Sequence, residues 1–195
     1  DMRKFMLGLR EERFFEYVQA RIDAGETLEL TDDLHQRYTL SATAASVKGA
    51  RLILENPRVA VYGTHGERPT RYEAPQAELK GAPNPHGDII VEIRLLQTEA
   101  GDVQEYHPRA ANYDQPRPKP TTSLDDVRIP QNILDSLGTV SPVAVLDPNV
   151  PLQLAPGLAD DRVGLQRTAA TARRKITATI NFRLGYAASV LVTAL

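Results

Sequence analysis

Short runs of alternating apolar and polar residues, separated by turn-forming residues, fill the sequence from residue 27 to residue 113. The runs lie at Leu28 and Leu30, Tyr38 and Leu40, 51–55, 58–62, 71–74, 88–96 and 103–106. Period two is the repeat of a β-strand, and the Asn-Pro and Lys-Gly separators favour tight turns. Intervals of roughly ten residues leave no room for the helical crossovers of parallel strands. The pattern predicts a mainly β domain over 27–115: an antiparallel β-sandwich, jelly roll or open barrel.

A weak internal repeat runs through this β-region. One unit covers 52–79 and a second covers 89–113, and each ends in a segment with Tyr, Pro and Ala that begins at Tyr72 or Tyr106. The two tyrosines are 34 residues apart, a period that stacked supersecondary units produce. The repeat predicts successive hairpin layers of one elongated sheet; a chance resemblance between two imperfect copies is the alternative.

A helical pattern precedes the β-region. Apolar residues recur at three- to four-residue spacing from Phe5 to Ile22, and Gly25 follows where a helix would stop. The spacing predicts an amphipathic helix in a segment that covers residues 1–26. Its charged face is expected in solvent, with a membrane surface as the alternative.

A proline-rich segment and a second helix are predicted after the β-region. Alternating prolines make 116–159 a stiff connector that ends the β-domain, with room for one short helix over 129–137. A basic helix is predicted over 160–195. It is expected to start at Asp160 and Asp161, whose carboxylates favour the exposed amides of a helix N-terminus.

The sequence ends in an uncharged, mostly apolar run, 184–195. A helix needs about 20 such residues to span a bilayer. The run is therefore expected to be the opening turns of a transmembrane helix in a longer membrane protein. A C-terminal helix packed on a soluble core is the alternative.

The composition excludes several classes of function. The 23 Lys and Arg residues are matched by 25 Asp and Glu, for a net charge of −2, and cations are in excess only over 162–183. We therefore expect no nucleic-acid partner. The chain has no cysteine, which removes disulfides and thiolate chemistry. It also lacks nucleotide-binding and nucleophile-elbow motifs.

Few residues carry candidate chemistry. The four histidines are isolated in sequence: His35, His65, His86 and His107. This spacing lacks paired metal ligands, so surface histidines are expected. The adjacent acid pairs 32–33, 125–126 and 160–161 would point in different directions on a regular element and are expected in caps and turns. The sequence predicts no catalytic residue, no metal and no cofactor, and hence no enzyme.

Three segments of the β-region carry a family resemblance. They are 41–45 (Ser-Ala-Thr-Ala-Ala), 52–62 (Leu-Ile-Leu-Glu-Asn-Pro-Arg-Val-Ala-Val-Tyr) and 72–77 (Tyr-Glu-Ala-Pro-Gln-Ala). These segments resemble the repeating hairpins of the periplasmic β-jellyroll modules of the lipopolysaccharide transport machinery.

The C-terminal region extends the resemblance. Residues 172–184 resemble the start of the transmembrane helix that follows such a module, with 182–184 matching an aromatic-Arg-Leu pattern. Thr179 and Asn181 stand where that pattern often has an acid and a histidine, so a polar role of these positions is not carried over. The combination resembles the LptF/LptG family of lipopolysaccharide export permeases.

The resemblance implies a non-enzymatic role in lipid export. The β-module would lie on the periplasmic side of the inner membrane and pass acyl chains of lipopolysaccharide, or of another anionic glycolipid, to an LptC/LptA-like jellyroll. An ABC ATPase subunit and a second permease subunit are the other implied partners. The lipid-groove candidates are Leu52, Leu54, Val59, Val61, Ile90 and Ile93.

The resemblance also singles out the cations before the apolar run. The head-group candidates are Arg173, Arg174, Lys175 and Arg183. Cations beside a span usually mark its cytoplasmic end, whereas the family would place these at the periplasmic end. The hypothesis that reconciles the two is that an anionic lipid head group passes nearby and is attracted by them.

Two other functions stay open. A structural β-module of a virion or envelope assembly would need no ligand, and its terminal helices would pack on neighbouring copies. A carbohydrate-acting β-sandwich enzyme would need two carboxylates about 5 to 9 Å apart in a cleft.

Overall fold

A computed structural model of the chain describes residues 2–32, 36–63, 68–83, 89–108, 113, 115–138, 140–154 and 156–193. For residues 82, 83, 89 and 183–193 it describes the backbone alone. The chain divides into two compact units. One is Leu7–Thr139, and the other combines Asp1–Met6 with Val140–Leu195.

Antiparallel β-strands dominate the described residues, with a helix near each end. The strands are β1 (Leu28–Thr31), β2 (Arg37–Ser41), β3 (Ala44–Val47), β4 (Leu52–Glu55), β5 (Arg58–Tyr62), β6 (Thr70–Glu73), β7 (Gln76–Pro83), β8 (Ile89–Leu96), β9 (Val103–Tyr106), β10 (Arg117–Lys119) and β11 (Thr122–Arg128). The helices are α1 (Met2–Asp23), α2 (Gln131–Ser136), α3 (Pro142–Leu146) and α4 (Pro156–Thr193). The prediction of a mainly β, antiparallel chain with an N-terminal and a C-terminal helix is confirmed.

The strands form one sheet in the order β10-β9-β6-β5-β2-β1-β11-β8-β7-β4-β3. We call β1, β2, β5, β6, β9 and β10 half-sheet A, and β3, β4, β7, β8 and β11 half-sheet B. The chain builds a hairpin in one half and then crosses to the other. The halves join where β1 pairs with β11 through Thr31 and Arg128.

The first three crossings between the half-sheets take two residues each, at 42–43, 56–57 and 74–75. We call them the crossover stack, because hydrogen bonds link one to the next. The Thr43 N–H donates to the Glu55 carbonyl (2.9 Å). The side-chain amide of Asn56 donates to the Thr43 hydroxyl (3.1 Å). The first crossing is thereby fixed to the second.

The same Asn-Pro step also contacts the third crossing. The Asn56 N–H donates to the Pro75 carbonyl (3.0 Å), and the Ala74 N–H donates to the Pro57 carbonyl (3.2 Å). Asn56 has φ of 45°, in the left-handed region that asparagine tolerates better than most residues. The Asn-Pro and Ala-Pro steps of the sequence are therefore the points where backbone groups that leave the sheet regain partners.

The core is one apolar cluster that contains residues of both half-sheets and of α1. Half-sheet A contributes Leu28, Leu30, Tyr38, Leu40, Val59 and Val103, and half-sheet B contributes Ala45, Leu52, Leu54, Ala77, Leu79, Val91, Ile93, Leu95 and Val127. Helix α1 adds Phe14, Phe15, Val18 and Ile22, as its apolar spacing predicted. The helix ends at Asp23, and Gly25 follows with φ of 73° and an N–H that donates to the Ile22 carbonyl (2.8 Å).

A polar contact fixes α1 on β7. The Glu11 carboxylate accepts a hydrogen bond from the Gly81 N–H at 3.0 Å. A Cβ atom at Gly81 would lie 2.8 Å from the Glu11 side chain, so only glycine permits this approach. Burial raises the pKa of Glu11, and the Gly81 hydrogen bond and the Lys80 charge oppose part of that rise.

The sheet extends further along the chain than the sequence pattern predicted. Residues 117–128 were expected in a connector but form β10 and β11, and β11 lies between β1 and β8. Pro118 is tolerated because β10 is an edge strand. Strand β11 carries a bulge at 125–126, where Asp126 has φ of 59°, so its alternation is broken. The proline in β10 and the bulge in β11 each interrupt the alternation of apolar and polar residues by which a strand is predicted from sequence.

The remaining elements agree with the predictions in part. Helix α2 confirms the short helix expected over 129–137. Strands β3 and β7 and helix α3 were not predicted. Helix α4 begins at Pro156, so Asp160 and Asp161 lie in its second turn. Proline is favoured at a first helical position because its missing N–H would have no partner there.

We predict that Asn56→Ala lowers the free energy of unfolding by about 1–2 kcal/mol, because alanine loses the amide contact with Thr43 and is strained at positive φ. Asn56→Gly is the matched variant, since glycine accepts this φ and loses only the side-chain contact. Urea denaturation followed by circular dichroism measures both. Equal destabilisation by the two variants would contradict a role for the left-handed backbone.

Candidate functional site

The structure brings most of the predicted groove residues into one apolar interior. Leu52, Leu54, Val59 and Ile93 are at most 1% exposed and belong to the core cluster, and Val61 packs against it. They come from β4 and β8 in half-sheet B and from β5 in half-sheet A. Apolar side chains of both half-sheets therefore belong to one buried cluster.

Ile90 lies elsewhere. Val91, Ile93 and Leu95 are buried, so their side chains occupy the core face of β8. Ile90 is one residue from Val91 and is therefore on the opposite face, where it is half-buried. Naming both Ile90 and Ile93 as inward residues was wrong, because residues three apart on a strand point to opposite faces.

A polar cluster is centred on Glu105 of β9, on the same face of that strand as the buried Val103. Glu105 is 8% exposed. Its carboxylate accepts a hydrogen bond from the Tyr72 hydroxyl (3.2 Å) and pairs with the Lys119 ammonium (3.1 Å). Burial raises the pKa of Tyr72 to about 12, with a further contribution from Glu105. Both oxygens of this buried carboxylate are thereby satisfied.

The two copies of the internal repeat contact each other near this polar cluster. Strands β6 and β9 are neighbours, and Arg71 pairs in register with Tyr106. The Tyr106 hydroxyl donates to Glu73 across the two strands (3.4 Å). Each copy of the Tyr and Glu motif thus supplies a tyrosine to a glutamate of the other copy.

The predicted head-group residues lie on α4. Arg173, Arg174 and Lys175 are exposed, as is every residue from 171 to 182. The side chain of Arg183 lies outside the described residues. Within the described part of the chain, no helix contains an apolar stretch long enough to cross a membrane.

A shallow groove of about 460 Å³ lies between α3 and α4. Its lining is Leu146, Pro148, Gln166, Arg167, Ala169, Ala170 and Arg173. One of the predicted head-group residues, Arg173, therefore borders an apolar surface. The sequence gives no sign of this groove, because α3 is a single short turn among prolines.

Arg162 fixes α3 and the turn after it against α4. Its guanidinium donates to the carbonyls of Val145 (3.0 Å), Asp147 (2.7 Å) and Val150 (2.7 Å). Two of these carbonyls have a second donor: the Val150 N–H donates to the Asp147 carbonyl (3.3 Å), and the Gln166 side-chain amide donates to the Val145 carbonyl (3.2 Å). A charged donor with a rigid fork suits several acceptors at once. No motif in the sequence marked Arg162.

The described residues contain no group of three or more metal-ligating side chains. His107 is among the described residues, whereas His35, His65 and His86 lie outside them. The acid pair 125–126 lies in the bulge of β11.

Comparison of the chain with protein-family models, with curated proteins and with solved structures gives no match. The likeness to LptF/LptG permeases is therefore a resemblance of short segments, and any function must be argued from the geometry of the interior, the sheet edges and α4.

We predict that Arg162→Lys accelerates amide hydrogen exchange at Val145 and Asp147, because a single ammonium nitrogen replaces donors that the guanidinium presents from two separate nitrogens. Arg167→Lys, in the same helix, is the control and leaves these rates unchanged. Mass-spectrometric hydrogen exchange of the full chain measures the difference. Identical exchange in both variants would contradict the proposed role of Arg162.

We predict that the stability of the chain falls as pH rises from about 10 to about 12. Burial raises the pKa of Tyr38 and of Tyr72 to about 12 in the folded state, whereas the unfolded value is about 10. In this window the folded state binds more protons, so a rising pH favours unfolding. Urea titrations across the window should show a shallower loss for the Tyr38→Phe/Tyr72→Phe variant. An equal slope in both proteins would contradict the assignment.

Proposed function

We propose that the chain is the β-module of a lipid-exporting membrane complex, and that it carries acyl chains between its two half-sheets. The observation that carries this proposal is the shared interior: apolar side chains of both half-sheets meet in one cluster, while the halves join at the β1–β11 pair. An interior of this kind offers acyl chains the same environment as a protein core.

The strand order supports a jelly-roll form of this module. Hairpins alternate between the half-sheets, and each later hairpin pairs with the preceding one in its half, as β2 does with β5 and β4 with β7. In the proposed fold the half-sheets are the two layers of a β-sandwich, as in LptC/LptA-like modules. In this proposal the acyl chains lie between the two layers of the predicted antiparallel sandwich.

The β1–β11 junction is the proposed opening. It has one register pair, Thr31 with Arg128, whereas β7 and β8 are paired from Gln76 to Pro83. Separating two strands costs least where the fewest hydrogen bonds break. Acyl chains would enter the interior there with little disturbance of either half-sheet.

The ends of the sheet support transfer to a second module. Strands β3 and β10 are the outermost in the strand order and each pairs with one neighbour. Such edges accept a strand from another protein. Val47 of β3 is 41% exposed, which adds an apolar contact at that edge. The proposed occupant is an LptC/LptA-like jellyroll.

The exposed basic segment of α4 supports the placement at a membrane. Arg173, Arg174 and Lys175 would attract the head group of lipopolysaccharide or another anionic glycolipid. In this proposal α4 leads into the inner membrane and the β-module lies on the periplasmic side. A second permease subunit completes the path, and an ABC ATPase subunit supplies the energy.

A structural β-module of a virion or envelope assembly is the second candidate. It is favoured by exposed apolar side chains on α4, which are Val163, Ile176, Ile180 and Phe182. Together with the edge strands they would suit contacts between copies of the chain. This candidate needs no ligand in the interior.

Photo-crosslinking tests the lipid proposal. A photo-reactive amino acid replaces Leu54 or Val61 on the core face, or Ile90 on the opposite face as the matched control. In membranes that export lipid, the first two positions should form lipid adducts and Ile90 should not. Adducts at none of the positions, with folding confirmed by circular dichroism, would leave the assembly module as the better account.

A further inference from the structure

Two arginines lie against one tyrosine ring on the outer face of half-sheet A. The Arg68 guanidinium is 5.5 Å from the centre of the Tyr113 ring, and that of Arg71 is 5.0 Å from it. Arg71 also lies 4.7 Å from the centre of the Tyr106 ring. This is the outer face because Tyr72, the neighbour of Arg71 on β6, packs against the core.

The ring of Tyr113 is fixed in place. Its hydroxyl donates to the Pro69 carbonyl at 2.7 Å, between the two arginines in sequence. Stacking on a fixed ring holds a guanidinium plane while leaving its N–H edges free to donate. The arginines are thus oriented before any ligand arrives, which lowers the entropy cost of binding.

Among the described residues, Glu73 is a carboxylate on the same face of β6 as Arg71, and it has partners of its own. Glu73 pairs with Arg58 (3.6 Å) and accepts a hydrogen bond from the Tyr106 hydroxyl (3.4 Å). The Nε atom of Arg71 is buried and, within the part of the chain that the structure describes, has no hydrogen-bond acceptor. A buried N–H donor without an acceptor costs free energy, as do two cations brought to one ring. An anion that accepts from the terminal N–H groups of the two guanidiniums would offset the repulsion between these cations.

The surface beside Arg71 has room for such an anion. In the row across the strands, Arg71 is followed by Ala60 of β5 and then by Thr39 of β2. These side chains are small. The next outer position of β2 is Arg37, whose guanidinium stacks on the Tyr62 ring at 4.2 Å. Small side chains therefore lie between Arg71 and Arg37, and the row ends at Glu29 of β1, the register partner of Thr39.

We propose that Arg68 and Arg71, oriented by Tyr113 and Tyr106, form a binding site for a phosphate-type oxyanion. Arginine matches such a group because its donors suit two oxygens at once. A free phosphate and the phosphate of a lipid head group share this chemistry. The site lies on the face opposite to the apolar interior and does not depend on the interior's holding a lipid.

The test is a titration of the full chain followed by the Nε–Hε signals of its arginines in nuclear magnetic resonance. One arm adds inorganic phosphate; the other adds phosphatidylcholine vesicles with or without phosphatidic acid, with binding measured by vesicle sedimentation. Arg71→Lys keeps the positive charge but removes the planar guanidinium group with its paired N–H donors. Arg51→Lys is the matched control, because Arg51 is exposed and already pairs with Glu78 (3.2 Å).

We expect Arg71→Lys to weaken binding about tenfold or more, since it removes charge-assisted hydrogen bonds, and Arg51→Lys to leave it unchanged. A change of the arginine Nε–Hε signals on addition of inorganic phosphate would support the site and show that a free anion is enough to occupy it. A response confined to phosphatidic acid vesicles supports it with a lipid source.

No response to either probe would overturn the proposal, as would equal weakening by both variants. Neither result bears on lipid adducts at Leu54 and Val61, so failure of this site and failure of the proposed lipid interior can be told apart.

Discussion

The crossings between the half-sheets are the constraint on which the rest of this structure depends. A crossing of two residues leaves no slack, so the register of each strand is set by the hairpin before it. Asn56 and Pro57 lie in the middle of the crossover stack and are bonded to the crossings on both sides. A slip of one residue in the strands next to these crossings, β2 to β7, would break these bonds and also move the apolar residues of that strand to the outer face.

The same constraint explains why the interior is shared. Because the chain changes halves after every hairpin, each half-sheet is made of segments that alternate along the chain with those of the other half. Helix α1 adds its apolar face to this cluster, and the contact of Glu11 with Gly81 sets its position on β7. The proposed opening at β1–β11 is the one junction between the halves within the strand order, and it carries the lightest pairing. In the proposed function the apolar interior would receive acyl chains through that junction.

The sequence predicted the elements whose periodicity is regular. Helix α1 has apolar residues at three- to four-residue spacing, β4 is a short apolar run and β5 alternates apolar with polar or small residues. Turn residues mark the ends of all three. It missed β3, which is built on alanine and serine, and β11, whose bulge at Asp126 interrupts the alternation. The prolines around Pro118 predicted a connector, whereas the structure has the edge strand β10 there. In each case tertiary pairing overrides a local pattern.

The functional residues divide in the same way. Periodicity correctly predicted the burial of Leu52, Leu54, Val59 and Ile93. Ile90 was predicted wrongly, because it lies three positions before Ile93 in the sequence and the two side chains therefore lie on opposite faces of β8. The arginine pair at Tyr113 could not be predicted, because its members are 45 and 42 residues from that ring in sequence and meet only in the folded chain. Arg162 could not be predicted either, because its partners are backbone carbonyls and no residue type in the sequence indicates them.

The absence of cysteine allows one direct measurement of the central claim, that the interior receives acyl chains through the β1–β11 junction. Thr31→Cys and Arg128→Cys place two thiols on register partners, at a spacing suited to a disulfide. Uptake of a fluorescent acyl lipid is then measured in the oxidised and reduced forms of the same protein. The account predicts that the oxidised form excludes the lipid and that reduction restores uptake. Equal uptake in both forms would contradict it.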